Sequence, residues 1–285
     1  MFIDDIDVAK FKKDGVVIKR LFSEQQVEQL KNAVYNSFIP EYVKKEKKMA
    51  NIQFLQPRNR VDTLQEVAAN KDILDACSKL LEGGEPIIGG ASLFYGEKGI
   101  EYVQGWHRDL LHVPEDEIDN FWFTKEYNHN NVQINIALNH DENLWFIRGS
   151  HNRQFTEEEK KVFGDSKVMA DVAYKDLPNA EKVILKPGEA AFYNNNALHK
   201  GYGGTLKSDR MVVHLGYHSN KYSPTFNFCV INHHEFSTKY LNSLSTSVRK
   251  LLNDHIVEKE QHPEVERFYQ LHQQFINSTF ETKEK

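Results

Sequence analysis

Within Gly105–Leu111 (GWHRDLL) an imidazole, His107, and a carboxylate, Asp109, stand two residues apart. In an extended segment successive side chains alternate, so both point to one face while Arg108 points to the other. A His and an Asp converging from one strand need one more imidazole to form the 2-His-1-carboxylate set that holds non-haem Fe(II) and leaves coordination positions open. His-x-Asp by itself carries little, because ordinary surface segments contain it by chance.

The chain has 13 histidines, so the third ligand has to be found from its context. The best context is Asn194–Arg210 (NNNALHKGYGGTLKSDR), which follows the tight turn Lys186-Pro187-Gly188-Glu189 and the strand-like Ala190–Tyr193. His199 then lies near the end of a strand-plus-loop unit, and Arg210 opens the next strand. A guanidinium close to a metal-binding imidazole suits a bidentate grip on the carboxylate of an anionic cosubstrate. The candidate site is therefore His107, Asp109, His199 and Arg210.

The elements that must position these residues fall into three parts. Residues 1–85 read as mainly helical with one strand: a short helix over Ile6–Lys13 stopping at Asp14-Gly15, a strand Val16–Arg20, and a helix from the N-cap Ser23 to about Asn36. One or two further helices span Val61–Leu81, while Lys44–Arg60 is polar and has no clear period. From Pro86 the texture changes to short strand-like runs separated by Gly, Asn, Asp and Pro, as in a sandwich or barrel. The candidate strands are Ile87–Tyr95, Tyr102–Trp106, Val132–Asn139, Leu144–Ile147, Lys182–Lys186, Ala190–Asn194 and Arg210–His218. Helical spacing returns after Ser237 with Leu241, Leu244, Val248, Leu251 and Leu252. With no repeat or linker, the chain reads as a single domain over 1–285, with a β core at 86–235 and a helical tail at 236–285.

In Val132–Leu138 the aliphatic Val132, Ile134, Ile136 and Leu138 alternate with the amides Gln133 and Asn135 and with Ala137. Such a strand either turns its amides to solvent or lines a polar cavity with them while its aliphatics pack beneath helices. Leu110–Asn130, with Phe121, Trp122, Phe123 and Tyr127 among acidic residues, is long for a connection, and reads either as a substrate-contacting loop or as a helix packed on the core.

Composition narrows the function classes. Thirty-six basic against 41 acidic residues give a net charge of −5, which offers no footprint for nucleic acid. The run Lys44–Lys48 reads as a solvated helix face. Two cysteines, Cys77 and Cys229, make neither a disulfide framework nor a zinc site. No apolar stretch is long enough to span a membrane, and the first residues lack the features of a signal peptide, so the expected location is cytoplasmic. Oligomeric state is not legible.

The order of these features resembles the phytanoyl-CoA dioxygenase family of Fe(II)- and 2-oxoglutarate-dependent oxygenases. The similar segments are Phe11–Val17 with Leu21–Leu30, then Trp106–Asp109 (WHRD), Ile136–His151 (IALNHDENLWFIRGSH), Leu185–Tyr193 (LKPGEAAFY) and Leu198–Arg210. The resemblance implies a double-stranded β-helix (jelly-roll) core with flanking helices. It also implies Fe(II) on His107, Asp109 and His199, and 2-oxoglutarate chelating that iron with its C5 carboxylate on Arg210. O2 would be consumed, and succinate and CO2 formed, as a small-molecule substrate is hydroxylated. Asn135 is implied as a further cosubstrate contact, and Tyr95 is a candidate for the same role or for a structural aromatic. His214 and His218 share the parity of Arg210, and read as core histidines; His112, His129, His140 and His151 read as non-ligands. The chain departs from the family in having Arg148 where a Pro-Gly-Ser-His turn is usual, and in a shorter connection at Asn139–Asn143. Asp109 is retained where the family's halogenases carry a small residue. The competing readings are a metal- or ligand-binding jelly roll without turnover, and a cupin-like isomerase or metal-dependent hydrolase.

Overall fold

Short polar side chains start the N-terminal helices by binding backbone N–H groups that have no intrahelical acceptor. Asp4 and Asp7 form a reciprocal capping box at the head of α1 (Asp5–Asp14), and Ser23 and Gln26 form another at α2 (Glu24–Tyr35). Between them lies β1 (Val16–Arg20). The structure, a computed structural model, describes residues 3–109, 130–163, 174–222 and 231–263. Next come α3 (Ile39–Glu46), β2 (Ala50–Gln53), α4 (Asp62–Ala68) and α5 (Lys71–Leu80). The stretch expected to hold one or two helices thus holds two, and Asn70 caps the second through bonds from Asp72 N and Ile73 N.

The β region contains β3 (Pro86–Gly96), β4 (Glu101–His107), β5 (Asn131–Ala137) and β6 (Asp141–Phe146). After α6 (Glu157–Phe163) it continues with β7 (Glu181–Leu185), β8 (Glu189–Tyr193), β9 (His199–Thr205) and β10 (Arg210–Ser219). The helices α7 (Thr238–Asn242) and α8 (Thr246–Gln261) follow. The strands form two antiparallel sheets, β1-β8-β5-β10-β3-β2 and β4-β9-β6-β7. Two facing antiparallel sheets with flanking helices make the double-stranded β-helix.

One face of the large sheet is dry. Val132, Ile134 and Ile136 of β5 join Leu93, Val213 and Leu215 in one cluster with Leu30, Val34, Leu64, Ile73, Leu80, Val248 and Leu252 from the helices. Each such aliphatic side chain, fully buried, contributes roughly 1.5–3 kcal/mol. The opposite face carries Gln133 and Asn135 into a cavity between the sheets, so of the two readings of this strand the cavity-lining one describes the molecule.

Two strands depart from the sequence reading. β2 extends the large sheet from the polar stretch 44–60 by pairing with β3, so the first 85 residues supply two strands, not one. β9 occupies what reads as a loop, because HKGYGGT is glycine-rich and weak in intrinsic strand preference. Its glycines are required by what crosses them: a Cβ on Gly201 would lie 2.3 Å from Tyr102 Oη, and one on Gly203 would lie 1.7 Å from Asn143 Oδ1. The aromatic segment expected at 110–130 falls, apart from Asn130, outside the described residues, as do His112 and His129. No described helix is long and apolar enough to cross a membrane.

Candidate active site

β4 and β9 bring the two imidazoles together. His107 and His199 face each other as cross-strand partners, with ring centroids 4.2 Å apart. The register shifts between Gln104 and His107, and this bulge lets Gln104 and His107, of opposite parity, both reach the cavity. Each ring is tethered in the same way: His107 Nδ1 donates to Gly105 O at 2.7 Å, and His199 Nδ1 donates to Ala197 O at 2.9 Å. Each Nε2 therefore presents its lone pair to the cavity, the tautomer a metal needs.

Asp109 closes the set from the turn after β4. Its Oδ1 lies 3.6 Å from His107 Nε2 and its Oδ2 lies 3.8 Å from His199 Nε2. Gln133 Nε2 donates to Asp109 Oδ2 at 2.7 Å, and Asp109 N donates to Asn195 O at 3.2 Å. One ligand atom from each of His107, Asp109 and His199 lies within 4.8 Å of the others. Burial first, and then the neighbouring His107, push His199 down to about 4, so its imidazole is neutral at physiological pH. The imidazoles of His107 and His199 and the carboxylate of Asp109 converge on one point with the rest of the cavity open, a donor set that fits a divalent iron with positions left for other ligands.

Arg210 opens β10 in the same cavity, almost fully buried. Its Nε donates to Asp141 Oδ1 at 2.7 Å and its Nη2 lies 3.4 Å from Asp141 Oδ2. The guanidinium sits 4.2 Å from the Tyr102 ring centroid and 5.6 Å from that of Phe94. Burial works against the charge, and the attraction of Asp141 outweighs it, so the guanidinium is held above its ordinary range. Asn135 lies alongside and its Oδ1 is 2.7 Å from His214 Nδ1. Burial drives His214 down to about 4 against the pull of Asp109.

The sequence profile of the phytanoyl-CoA dioxygenase family matches residues 11–212. The chain belongs to the phytanoyl-CoA dioxygenase family. No curated protein matches it by sequence. Solved structures similar to it include AviO1 from Streptomyces viridochromogenes Tue57, at 12% identity and TM-score 0.56, covering 79% of this chain and 99% of that one. EctD from S. alaskensis, crystallised with 2-oxoglutarate and 5-hydroxyectoine, is similar at 19% identity and TM-score 0.57, with 78% of each chain covered. HygX from Streptomyces hygroscopicus with iron bound is similar at 13% identity and TM-score 0.58, covering 77% and 88%. At such identities the likeness establishes the shared fold. None of these comparisons supports a ligand-binding jelly roll without turnover.

In this phytanoyl-CoA dioxygenase family member the cavity gathers His107, Asp109, His199, Arg210 and Asn135. It does not gather Tyr95. On β3 Tyr95 pairs with Met211, while Phe94 pairs with Val212, so Tyr95 lies on the face opposite to Arg210. It is buried in the helical core, edge-on to Tyr35, and burial pushes its hydroxyl up to about 12. The tyrosine that reaches Arg210 is Tyr102. Sequence reasoning also missed Asp141 and Gln104, whose Nε2 lies 3.3 Å from His107 Nε2. Alternation back from His107 misses Gln104 because of the bulge; an acidic residue opening β6, directly after the short β5–β6 connection, was the available signal for Asp141.

The outward-facing neighbours of the ligands brace this arrangement. Arg108 is buried away from the metal side, donating to Asn196 O and, at 2.9 Å, to Arg153 O, with its guanidinium 5.0 Å from the Phe155 ring. It thereby ties the His-x-Asp segment to the loop that leads into His199. Lys200, next to His199, sits 4.9 Å from the ring of Trp106, 5.1 Å from Trp145 and 5.0 Å from Tyr202. In the Arg148–His151 turn, Ser150 Oγ donates to Ile147 O and accepts from Leu198 N at 2.8 Å, so this turn holds the residue before His199. Arg148, replacing the family's proline, makes ion pairs with Asp14 and Glu181. His151 is a buried turn residue bonded to Lys12 O, His140 is exposed, and His218 pairs with Glu258.

Proposed function

We propose that this family member is an Fe(II)- and 2-oxoglutarate-dependent dioxygenase that hydroxylates a small molecule, with formation of succinate and CO2. The observation that carries the reading is the pair of carbonyl-tethered imidazoles, His107 and His199, facing Asp109 in a cavity that also holds a buried guanidinium. The similar EctD and HygX structures, solved with 2-oxoglutarate, support it.

His107, Asp109 and His199 would hold the iron, and Arg210 would receive the C5 carboxylate of the cosubstrate. Iron with 2-oxoglutarate supplies the oxidising power, by coupling O2 activation to decarboxylation. The chain's own part is positioning. The tethers to Gly105 O and Ala197 O keep both Nε2 atoms aimed at one point, and Gln133 fixes the plane of the Asp109 carboxylate. Asn135, held by His214, offers an amide to the cavity. Phe94, Leu144 and Tyr193 make the apolar part of the wall and limit water. Asp109 occupies the position whose loss would open a place for chloride, which favours hydroxylation or a related oxidation over halogenation. A single domain and a cytoplasmic location are parts of the same proposal; their support is the continuous β core and the sparse cysteines.

The test is an anaerobic titration of the chain with Fe(II) and 2-oxoglutarate, followed by succinate formation on admitting O2. A visible charge-transfer band and Fe(II)-dependent succinate are expected, with both lost in His107→Ala and Asp109→Ala. Undiminished turnover by either variant sinks the reading.

A further inference from the structure

The short β5–β6 connection runs along the start of β10: Leu138 N donates to Met211 O at 2.9 Å, and Asn139 Nδ2 donates to Asp209 O at 3.1 Å. The chain then enters β6 with Asp141 directly beneath Arg210. Both side chains are buried, with 1% of Asp141 and 2% of Arg210 exposed. Asp141 Oδ1 accepts from Arg210 Nε at 2.7 Å and from Asn143 Nδ2 at 2.6 Å. Asn143 in turn fits only because β9 has no side chain at Gly203. The carboxylate is thus fixed from two sides against one edge of the guanidinium.

A guanidinium offers donors along two usable edges, Nε with Nη2 and Nη1 with Nη2. Asp141 occupies the first. The Tyr102 and Phe94 rings hold the plane of the group, and one N–H of Nη1 goes to Met49 Sδ at 3.8 Å, so a ligand meets Arg210 end-on, at the remaining N–H of Nη1 and that of Nη2. The charge is also balanced in advance. A buried cation without a partner is strongly unfavourable, and here the protein provides the partner itself. An arriving carboxylate therefore meets a neutral ion pair, whose anion repels it across a few ångströms of low-dielectric interior.

We propose that Asp141 is a positioning residue for the cosubstrate: it fixes Arg210 so that only its Nη edge is offered, and its charge competes with the cosubstrate's distal carboxylate. This rests on the 2-oxoglutarate reading of the site. A merely structural ion pair predicts the opposite sign on substitution, because damage to a binding site weakens binding, whereas removal of a competing charge strengthens it.

The experiment compares wild type with Asp141→Asn, which keeps an oxygen for Arg210 Nε and removes the charge. The full chain, loaded anaerobically with Fe(II), is titrated with glutarate by calorimetry and with 2-oxoglutarate through the charge-transfer band. Both ligands are expected to bind about tenfold tighter to the variant, with a larger ligand-induced rise in melting temperature than in wild type. Equal or weaker binding by folded Asp141→Asn overturns the inference. Should the variant not fold, the wild type decides alone through the 5-amide of 2-oxoglutarate. A pre-neutralised Arg210 discriminates against the amide by less than about a hundredfold, and a larger ratio overturns the inference, since sites built around an unmet polar partner discriminate by far more. If wild type gives no band with 2-oxoglutarate, the site reading itself fails, an outcome distinct from a band of unchanged affinity in the variant.

Discussion

Gln133→Leu removes one hydrogen bond from the metal site and leaves all three ligands in place. Gln133 Nε2 donates to Asp109 Oδ2 at 2.7 Å, and Gln133 is 6% exposed. A hydrogen bond to a charged group contributes about 1.5–3 kcal/mol. Because 18% of the Asp109 side chain is exposed, water can replace part of it, and the lower end of the range applies. A loss of about 1.5–2 kcal/mol corresponds to a roughly tenfold to thirtyfold weaker metal site, within the range found when partners of metal ligands are removed. Leucine is close in volume, so the wall of the cavity is kept. The assay is anaerobic competition of Fe(II) or Co(II) between the protein and a coloured chelator, with circular dichroism to show an unchanged fold. A metal dissociation constant within twofold of wild type would refute the argument that this amide orients the carboxylate.

Two further expectations concern stability. His255 on α8 is buried with its Nδ1 2.7 Å from Ile88 O, and burial brings its folded-state value down to about 3. The unfolded chain, with an ordinary value near 6.5, takes up this proton first as pH falls, so stability is lost below about pH 6.5, by about 2 kcal/mol from this group at pH 5. Unfolding free energies from urea titrations at pH 7 and pH 5 should differ less in His255→Gln by that amount, and an identical pH dependence would count against it. Gly15 ends α1 at φ +81°, and a Cβ there would lie 2.7 Å from His151 Nδ1. Gly15→Ala should cost roughly 1–3 kcal/mol from left-handed strain and displacement of the ring, read as a melting point lower by several degrees; an unchanged melting point would show that the turn adapts freely.

Legibility in the sequence followed how local each constraint was. His107, Asp109, His199 and Arg210 were found because their spacing and order survive in one dimension. The helix start at Ser23 was equally plain, since a cap lies beside the helix it begins, whereas the Asp4 cap was passed over and the first helix was expected only from Ile6. Tyr95 was misplaced because β3 is buried on both faces, by helices on one side and by the cavity on the other, so its hydrophobic pattern carries no parity. The register of β10 on β3, which pairs Met211 with Tyr95, supplies that parity and is a long-range property. β9 was hidden because its strand identity comes from its neighbours: glycines disfavour a strand in isolation, yet here they make room for Tyr102 and Asn143. Asp141 was invisible as a partner until two strands 69 residues apart in sequence were brought together.

The box of Trp106, Trp145 and Tyr202 around Lys200 bears on how this protein can be altered. Because Trp106 precedes one iron-ligand candidate and Lys200 follows the other, the outer face of the small sheet is mechanically continuous with the metal centre. A protein engineer looking for neutral ground on which to place a dye, a crosslink or a solubilising charge would find it not beside the ligands, where Trp106 and Lys200 are buried, but at the far end of the two strands, where Glu101 and Thr205 are exposed.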